Sequence, residues 1–120
     1  MIALETIGVA FAMFSALPVP KIEWNERNMR YAMAAFPLIG TVIGALWCVC
    51  GLLPLPEMAK AAGFCLIPVA VTGGIHLDGY ADTSDALSSY GDREKKLDIL
   101  KDPHCGAFAV IRLCSYFVAY

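Results

Sequence analysis

Charge is scarce in this sequence. Only 17% of its 120 residues are Asp, Glu, Lys or Arg, while 58% are hydrophobic and the mean hydropathy is +0.61. Because soluble domains carry charge on about a quarter of their residues, this composition argues against a soluble domain and favours a bilayer environment. The nine basic residues are scattered or interleaved with acids. Since binding to the nucleic-acid backbone needs a basic face, we expect no nucleic-acid partner.

Paired cysteines and a basic leader are also absent. The five cysteines form no CxxC pair and mostly lie in apolar runs, where a free thiol behaves as a small hydrophobe. This pattern predicts neither a disulfide framework nor a zinc site. The apolar N-terminal stretch contains Glu5 and no Lys or Arg before Lys21. We therefore expect that it is not a cleaved signal peptide.

Uncharged runs are the most prominent feature that is present. Residues 31–56 contain no charged side chain, and this run is longer than the ~20 apolar residues that cross a hydrocarbon core. Residues 61–77 form a shorter uncharged run, interrupted by Pro68 and by the pair Gly73 and Gly74. Irregular backbone at membrane depth must be surrounded by protein or a water-filled cavity. We therefore predict a broken membrane helix, whose glycines either let the chain turn or let a ligand approach closely.

Two further apolar runs complete the predicted architecture. Residues 105–120 predict a third membrane helix, and residues 2–17 predict a short interfacial or re-entrant helix, with a full span as the alternative. Together the runs predict an all-α, polytopic membrane protein with about three membrane helices in a single domain. Gly40 and Gly44 form a GxxxG pattern, which either marks a helix-helix contact, including a homo-oligomer, or reflects the high frequency of glycine in membrane helices.

The basic residues predict the orientation of the chain in the membrane. Residues 21–30 contain three of the nine Lys and Arg residues and residues 78–102 contain four, whereas the turn 54–60 contains only Lys60. By the positive-inside rule, the first two segments face the cytoplasm and the turn faces outward. We therefore expect a multi-pass protein of the cytoplasmic membrane, with the segment 78–102 on the cytoplasmic side.

Three aspartates form the main candidate site. Asp78, Asp82 and Asp85 fall at positions i, i+4 and i+7, which places them on one face of a helix. Three carboxylates at the end of an apolar segment need a cation, and hard oxygen ligands suit Mg²⁺, Mn²⁺ or Ca²⁺. A site for Mg²⁺-dependent phosphoryl chemistry is the favoured interpretation. The alternative is a solvated juxtamembrane helix.

The residues around the aspartates leave several alternatives open. His76 is either a base or ligand or a hydrogen-bonded structural residue, and the same holds for His104. Residues 92–101 predict a short amphipathic helix with Asp92 as its N-cap and three buried side chains: Leu97, Ile99 and Leu100. The basic residues of this stretch are either a solvated face or donors to phosphate oxygens: Arg93, Lys95, Lys96 and Lys101.

A family resemblance rests on these same residues. The run GGIHLDGYADTSD at residues 73–85 resembles the central motif of the cobalamin synthase family, adenosylcobinamide-GDP ribazoletransferase. Further matches extend the resemblance to nearly the whole sequence: Asp92-Arg93, Lys101-Asp102, Gly106, Phe108, LPVP at 17–20 and FPLIG at 36–40.

The resemblance implies a membrane enzyme that joins adenosylcobinamide-GDP to α-ribazole or its 5′-phosphate, releases GMP and requires Mg²⁺. By motif match it makes Asp78, Asp82 and Asp85 the candidate catalytic residues and metal ligands. A further group is implied in substrate binding: His76, Gly73, Gly74, Lys101 and Asp102.

The sequence departs from the family in two respects. Ala16 stands where family members often have a basic residue. Family members are also roughly twice as long, so we expect this chain to be an N-terminal fragment that is inactive alone. Three alternatives to the enzyme remain open at this point. They are an ion-pathway component of a transporter, another Mg²⁺-dependent membrane transferase acting on a phosphoalcohol or prenyl group, and a non-catalytic interaction fragment.

Overall fold

The computed structural model describes residues 2–120, and the side chains of residues 3–120. All seven regular elements within this part of the chain are α-helices, which confirms the predicted all-α class. They form two compact units, residues 2–74 and residues 75–120. The helices are α1 (Ile2–Phe14), α2 (Glu26–Arg30), α3 (Ala32–Leu52), α4 (Glu57–Thr72), α5 (Ile75–Ser88), α6 (Arg93–Ile99) and α7 (Ala107–Ala119).

The first unit is built on the packing of α1 against α3. Its core consists of small and β-branched side chains, which let the two helices approach closely: Val9, Ala10, Ala32 and Ala35. At the end of α1 the ring of Phe14 meets that of Phe36 edge to face, with 5.2 Å between the ring centroids. This geometry is favourable for aromatic pairs beyond the apolar area that they bury.

Helix α3 matches the predicted first membrane helix. Its 21 residues and mean hydropathy of 2.0 make it long and apolar enough to cross a bilayer. It contacts α4 through Trp47, whose indole Nε1–H donates to the carbonyl oxygen of Phe64 at 3.0 Å. The two rings also pack edge to face at 6.2 Å. The indole therefore joins α3 to α4 through both apolar contact and a satisfied hydrogen bond.

The predicted break in the second run lies at the glycine pair. Helix α4 ends at Gly73 (φ 64°), and Gly74 (φ 78°) is also left-handed. The N–H groups of both glycines donate to the carbonyl of Val69, which is a common way to end a helix. The prediction that Pro68 also interrupts the helix is wrong. Proline removes one backbone donor, and α4 continues through it while Thr72 Oγ1 donates to the Pro68 carbonyl at 2.8 Å.

The outer apolar runs form short helices, as predicted for residues 2–17, whereas residues 105–120 were predicted to form a membrane helix. Helices α1 and α7 each contain 13 residues, fewer than the ~20 that cross a hydrocarbon core. Among the described residues, α3 is the one unbroken helix that is long and apolar enough to cross a membrane. The interrupted pair α4 and α5 is long and apolar enough when the two helices are taken as one broken span. The structure thus supports an all-helical chain with one clear membrane-crossing candidate. The second and third spans remain predictions.

Helix α6 begins where the sequence predicted. The carboxylate of Asp92 accepts a hydrogen bond from the Lys95 backbone N–H at 3.0 Å, so Asp92 is its N-cap. The predicted burial of its apolar residues is wrong: Leu97 is 44% exposed and Leu100 is 42% exposed, and Ile99 is half-buried. The reason is that this seven-residue helix packs mainly against one neighbour, α5.

A candidate active site on helix α5

Helix α5 carries the three predicted site aspartates, as the sequence spacing indicated. Asp78 lies in its first turn and is exposed, whereas Asp82 and Asp85 are half-buried. Small residues on α5 are buried and allow close packing in this unit, where α7 is the main neighbour of α5: Ala81, Ser84 and Ala86. The three carboxylates of Asp78, Asp82 and Asp85, called the carboxylate row below, therefore lie on a helix that is held in place by its contacts with α7.

Asp85 has partners that lie far away in the sequence. Its Oδ2 accepts from the backbone N–H of Gly106 at 2.6 Å, and its Oδ1 accepts from that of Ala109 at 2.8 Å. These donors belong to the start of α7, where the first N–H groups of a helix have no partner inside it. The negative charge also interacts favourably with the positive end of the helix dipole. Asp85 thus caps α7 from another helix.

Gly106 fits against Asp85 only because it has no side chain. A Cβ at this position would lie 2.7 Å from each carboxylate oxygen of Asp85. Its backbone is extended, with φ −85° and ψ 171°, a conformation that any residue adopts. The requirement for glycine at position 106 is therefore one of space, set by the close approach of the Asp85 carboxylate.

Asp78 and Asp82 are placed differently from Asp85. Within residues 2–120 neither carboxylate has a hydrogen-bond or ion-pair partner. The two side chains lie one turn apart on α5, and carboxylate oxygens are the ligands that Mg²⁺ prefers, usually from one or two carboxylates together with waters and substrate phosphates. The pair therefore fits a magnesium ion of that kind.

A complete metal cage is not present in the described part of the chain. There, no three His, Cys, Asp or Glu side chains come close enough to hold one metal ion. The geometry thus separates the predicted ligands into two groups, since Asp85 faces the start of α7 while Asp78 and Asp82 carry unpaired carboxylates. The metal-binding role of each aspartate remains a prediction.

The predicted substrate-binding residues before Asp78 form the start of α5 and the turn that leads into it. His76 is exposed in the first turn of α5 and has an interaction partner. Gly73 lies against the chain that follows α1, where an added Cβ would come within 3.0 Å of the Ala16 Cβ. The Ala16 backbone N–H donates to the Val71 carbonyl at 2.8 Å. Gly73 and Gly74 therefore have a defined structural role, and their role in substrate binding stays a prediction.

The predicted residues Lys101 and Asp102 follow α6 and are exposed. Asp102 Oδ1 accepts from the backbone N–H of His104 at 2.9 Å and lies 2.6 Å from the Nδ1 atom of the His104 ring. The backbone hydrogen bond, followed by the contact with the ring, lowers the pKa of Asp102 below its ordinary value of 3.8. Asp102 and His104 form one local cluster. Within the described part of the chain, Lys101 takes no part in this cluster.

Comparison with known proteins agrees with the sequence resemblance. Residues 6–120 match the family described as cobalamin-5-phosphate synthase. The chain belongs to this family. The match includes both compact units and every predicted site residue, so the family assignment covers the carboxylate row together with the cap on α7.

Curated relatives carry the same enzyme name. The chain is 50% identical to an adenosylcobinamide-GDP ribazoletransferase of Lachnoclostridium phytofermentans, over 98% of the chain and 46% of the relative. It is 45% identical to one of Clostridium perfringens, over 89% of the chain and 44% of the relative. It is 37% identical to one of Listeria monocytogenes, over 98% and 49%. The chain spans about half the length of these relatives. No solved structure matches it.

The amides that bind Asp85 in the candidate site are not evident from the sequence. The backbone N–H groups of Gly106 and Ala109 carry no residue-type signature, and they lie 21 and 24 positions after Asp85. A signal was nevertheless present, because Gly106 is among the residues that resemble the family. Gly106 has no side chain with which to cap α7 itself, so the helix start depends on an acceptor from elsewhere.

Proposed function

We propose that the protein is an adenosylcobinamide-GDP ribazoletransferase of the cytoplasmic membrane. It would join adenosylcobinamide-GDP to α-ribazole or its 5′-phosphate, giving cobalamin or its phosphate and GMP. The observation that carries this proposal is 50% identity to a relative of that name over 98% of the chain. The carboxylate row on α5 supports it, because a transfer at phosphorus requires groups that position and neutralise phosphate charge.

The proposed reaction is a displacement at phosphorus. A ribose hydroxyl of the ribazole forms a bond to the phosphorus that is esterified to cobinamide, and a 5′-phosphate on the ribazole stays in place and becomes the phosphate of the cobalamin phosphate. The bond between that phosphorus and the bridging oxygen of the diphosphate breaks, and GMP leaves with the electron pair. The proton of the attacking hydroxyl passes to solvent or to a general base.

The three aspartates of α5 have different proposed roles in this reaction. Asp78 and Asp82 would hold Mg²⁺, which when bound supplies positive charge for phosphate oxygens. Their carboxylates have no other partner in the described chain, and they lie one turn apart, so both can face one ligand. We assign Asp85 to the positioning of α7, since both of its oxygens accept backbone hydrogen bonds.

The proposed location is a multi-pass arrangement in the cytoplasmic membrane, with α5 on the cytoplasmic side. Helix α3 supports the membrane location through its length and hydropathy, and the basic residues support the orientation. A reporter fused after Tyr90 is expected to be cytoplasmic, and one placed between Pro54 and Glu57 is expected to be external. The opposite pattern would refute this orientation.

The activity itself is tested with the intact protein in membranes. We expect GMP to be released from adenosylcobinamide-GDP only when α-ribazole or its 5′-phosphate is present, with one cobalamin or cobalamin phosphate formed for each GMP. This dependence separates the transferase from an ion-pathway component, which would not consume a nucleotide. Release of GMP that does not depend on the ribazole would contradict the proposal, and so would the absence of any release.

A further inference from the structure

A polar cavity lies at the C-terminal end of α5. It has a volume of about 590 Å³, and its walls come from the end of α5, the loop that follows, α6 and α7. Cavities of roughly 300–1,000 Å³ are typical of small-molecule sites. All of its lining residues belong to the compact unit 75–120. The lining residues that carry chemistry are Ser88, Ser89, Tyr90, Lys96 and Phe108.

Lys96 supplies a positive charge to this cavity. It is half-buried, unlike the exposed Arg93, Lys95 and Lys101 nearby. The ion pairs in the described part of the chain join Lys60 to Glu57 and His104 to Asp102, so no carboxylate of residues 2–120 neutralises Lys96. A lysine ammonium group that has no carboxylate partner is a suitable donor to the oxygens of an anionic ligand. The cavity therefore favours an anion beside Lys96.

The two serines of the cavity differ in their hydrogen bonds. Ser89 Oγ donates to the Ala86 carbonyl at 2.8 Å, so its only proton is used inside the protein. Ser88 Oγ has no such bond within residues 2–120, and its proton is available to an oxygen of a ligand. Lys96 and Ser88 together form a donor pair of the kind that binds phosphate oxygens.

Aromatic rings complete the lining. Tyr90 and Phe108 are exposed, Phe108 to 51%, and both contribute to the cavity. Exposed aromatic rings beside basic residues stack on nucleobases without reading their sequence. The cavity thus combines an unpaired ammonium group, a free hydroxyl donor and aromatic surface, which are the elements needed to bind a phosphate attached to a planar base.

We propose that this cavity binds a phosphorylated nucleoside, with Lys96 and Ser88 on the phosphate oxygens and an aromatic ring against the base. The inference rests on the proposed function, because that reaction binds a nucleotide-bearing substrate and releases GMP. Ser88 follows Asp82 by six residues, which corresponds to ~9 Å along a helix axis. The phosphate subsite therefore lies less than two turns after Asp82 on the same helix.

The test measures GMP binding to the intact protein in nanodiscs of neutral phosphatidylcholine. Lys96→Gln is expected to raise the Kd for GMP about tenfold or more, since it removes a charged donor, whereas guanosine, which lacks the phosphate, binds both proteins equally. Lys95→Gln is the matched control. Glutamine keeps the Cβ, Cγ and Cδ atoms with which Lys95 lies near Gly91, and Lys95 does not line the cavity.

The outcomes separate this inference from the proposed function. If GMP binding depends on Lys96 while no GMP is released from adenosylcobinamide-GDP, the phosphate subsite stands and the transferase proposal fails. If the transferase is active and Lys96→Gln binds GMP like Lys95→Gln, the subsite is refuted and the function stands. The binding measurement is repeated with phosphatidylglycerol included in the nanodisc that holds the protein. Loss of GMP binding under this condition would identify a lipid headgroup as the occupant and would refute the nucleotide assignment. Ser88→Ala, expected to weaken GMP binding severalfold, provides a second variant.

Discussion

The carboxylate of Asp85 accepts a hydrogen bond from the backbone N–H of Gly106 at 2.6 Å. The contact joins a residue of the predicted catalytic motif to the start of α7, which belongs to a separate apolar run of the sequence. An aspartate of the row can therefore be essential to the fold of unit 75–120 without touching a substrate. Loss of activity in an Asp85 variant would not by itself identify a metal ligand.

Replacement of Asp85 by alanine should loosen the start of α7. The change removes both acceptors for the Gly106 and Ala109 amides, and loss of a helix cap costs about 1–2 kcal/mol. Hydrogen exchange of these two amides should be roughly 5–30 times faster, in line with that free energy. Asp78→Ala is the control, because Asp78 has no partner in the described chain. Unchanged exchange in Asp85→Ala would show that the cap does not form.

Addition of a side chain at position 106 should also loosen the start of α7, in this case through a steric clash with Asp85. In Gly106→Ala the Cβ would lie 2.7 Å from both oxygens of Asp85, so the carboxylate must move away from α7. We expect Gly106→Ala to destabilise the protein and the double variant with Asp85→Ala to be little worse than either single change, because both remove one contact. Additive effects of the two changes, measured from melting temperatures in detergent, would contradict this coupling.

The glycine turn before α5 should be sensitive to alanine, unlike a glycine within the helix. Gly73 has φ 64° and lies against Ala16, so Gly73→Ala should cost about 1–2 kcal/mol from the left-handed backbone alone. Gly79 lies in α5 with open space around it, and Gly79→Ala should stabilise the helix by about 0.5–1 kcal/mol. Melting temperatures of the two variants should shift in opposite directions. A shift in the same direction would contradict the described turn.

The pKa of Asp102 provides a prediction about pH. Because its folded-state pKa lies below 3.8, mainly through the backbone N–H of His104, its contribution to stability is present above that value and is lost as the pH falls through the lowered pKa. His104→Ala removes the ring and keeps the backbone donor. We therefore expect the Asp102 pKa to rise in this variant but to stay below 3.8, as measured by NMR of the labelled carboxyl carbon. A return to 3.8 would assign the whole shift to the ring.

Local patterns in the sequence predicted much of the fold. The uncharged run containing Ile39 became α3, the glycine pair ended α4, and Asp92 capped α6, because each of these features depends on residues within a few positions. The spacing of Asp78 and Asp82 placed them one turn apart for the same reason.

Features that depend on distant partners could not be predicted in this way. Asp85 looks like its two neighbours in the row, and only the fold shows that its oxygens bind amides 21 and 24 residues away. Leu97 and Leu100 have the apolar character of buried residues, yet their exposure is set by which helices pack against α6. Likewise, the subsite residues Ser88 and Phe108 are separated in sequence and meet only around the cavity.

The most direct test of the central claim compares Asp82→Asn with wild type in the intact protein. The quantity measured is the rate of Mg²⁺-dependent GMP release from adenosylcobinamide-GDP in the presence of α-ribazole. Asparagine keeps the shape of the side chain and removes its charge, so membrane insertion and the exchange of the α7 amides should be unchanged. If Asp82 holds the metal, GMP release should be abolished or fall at least a hundredfold; release at a rate near that of wild type would contradict the account.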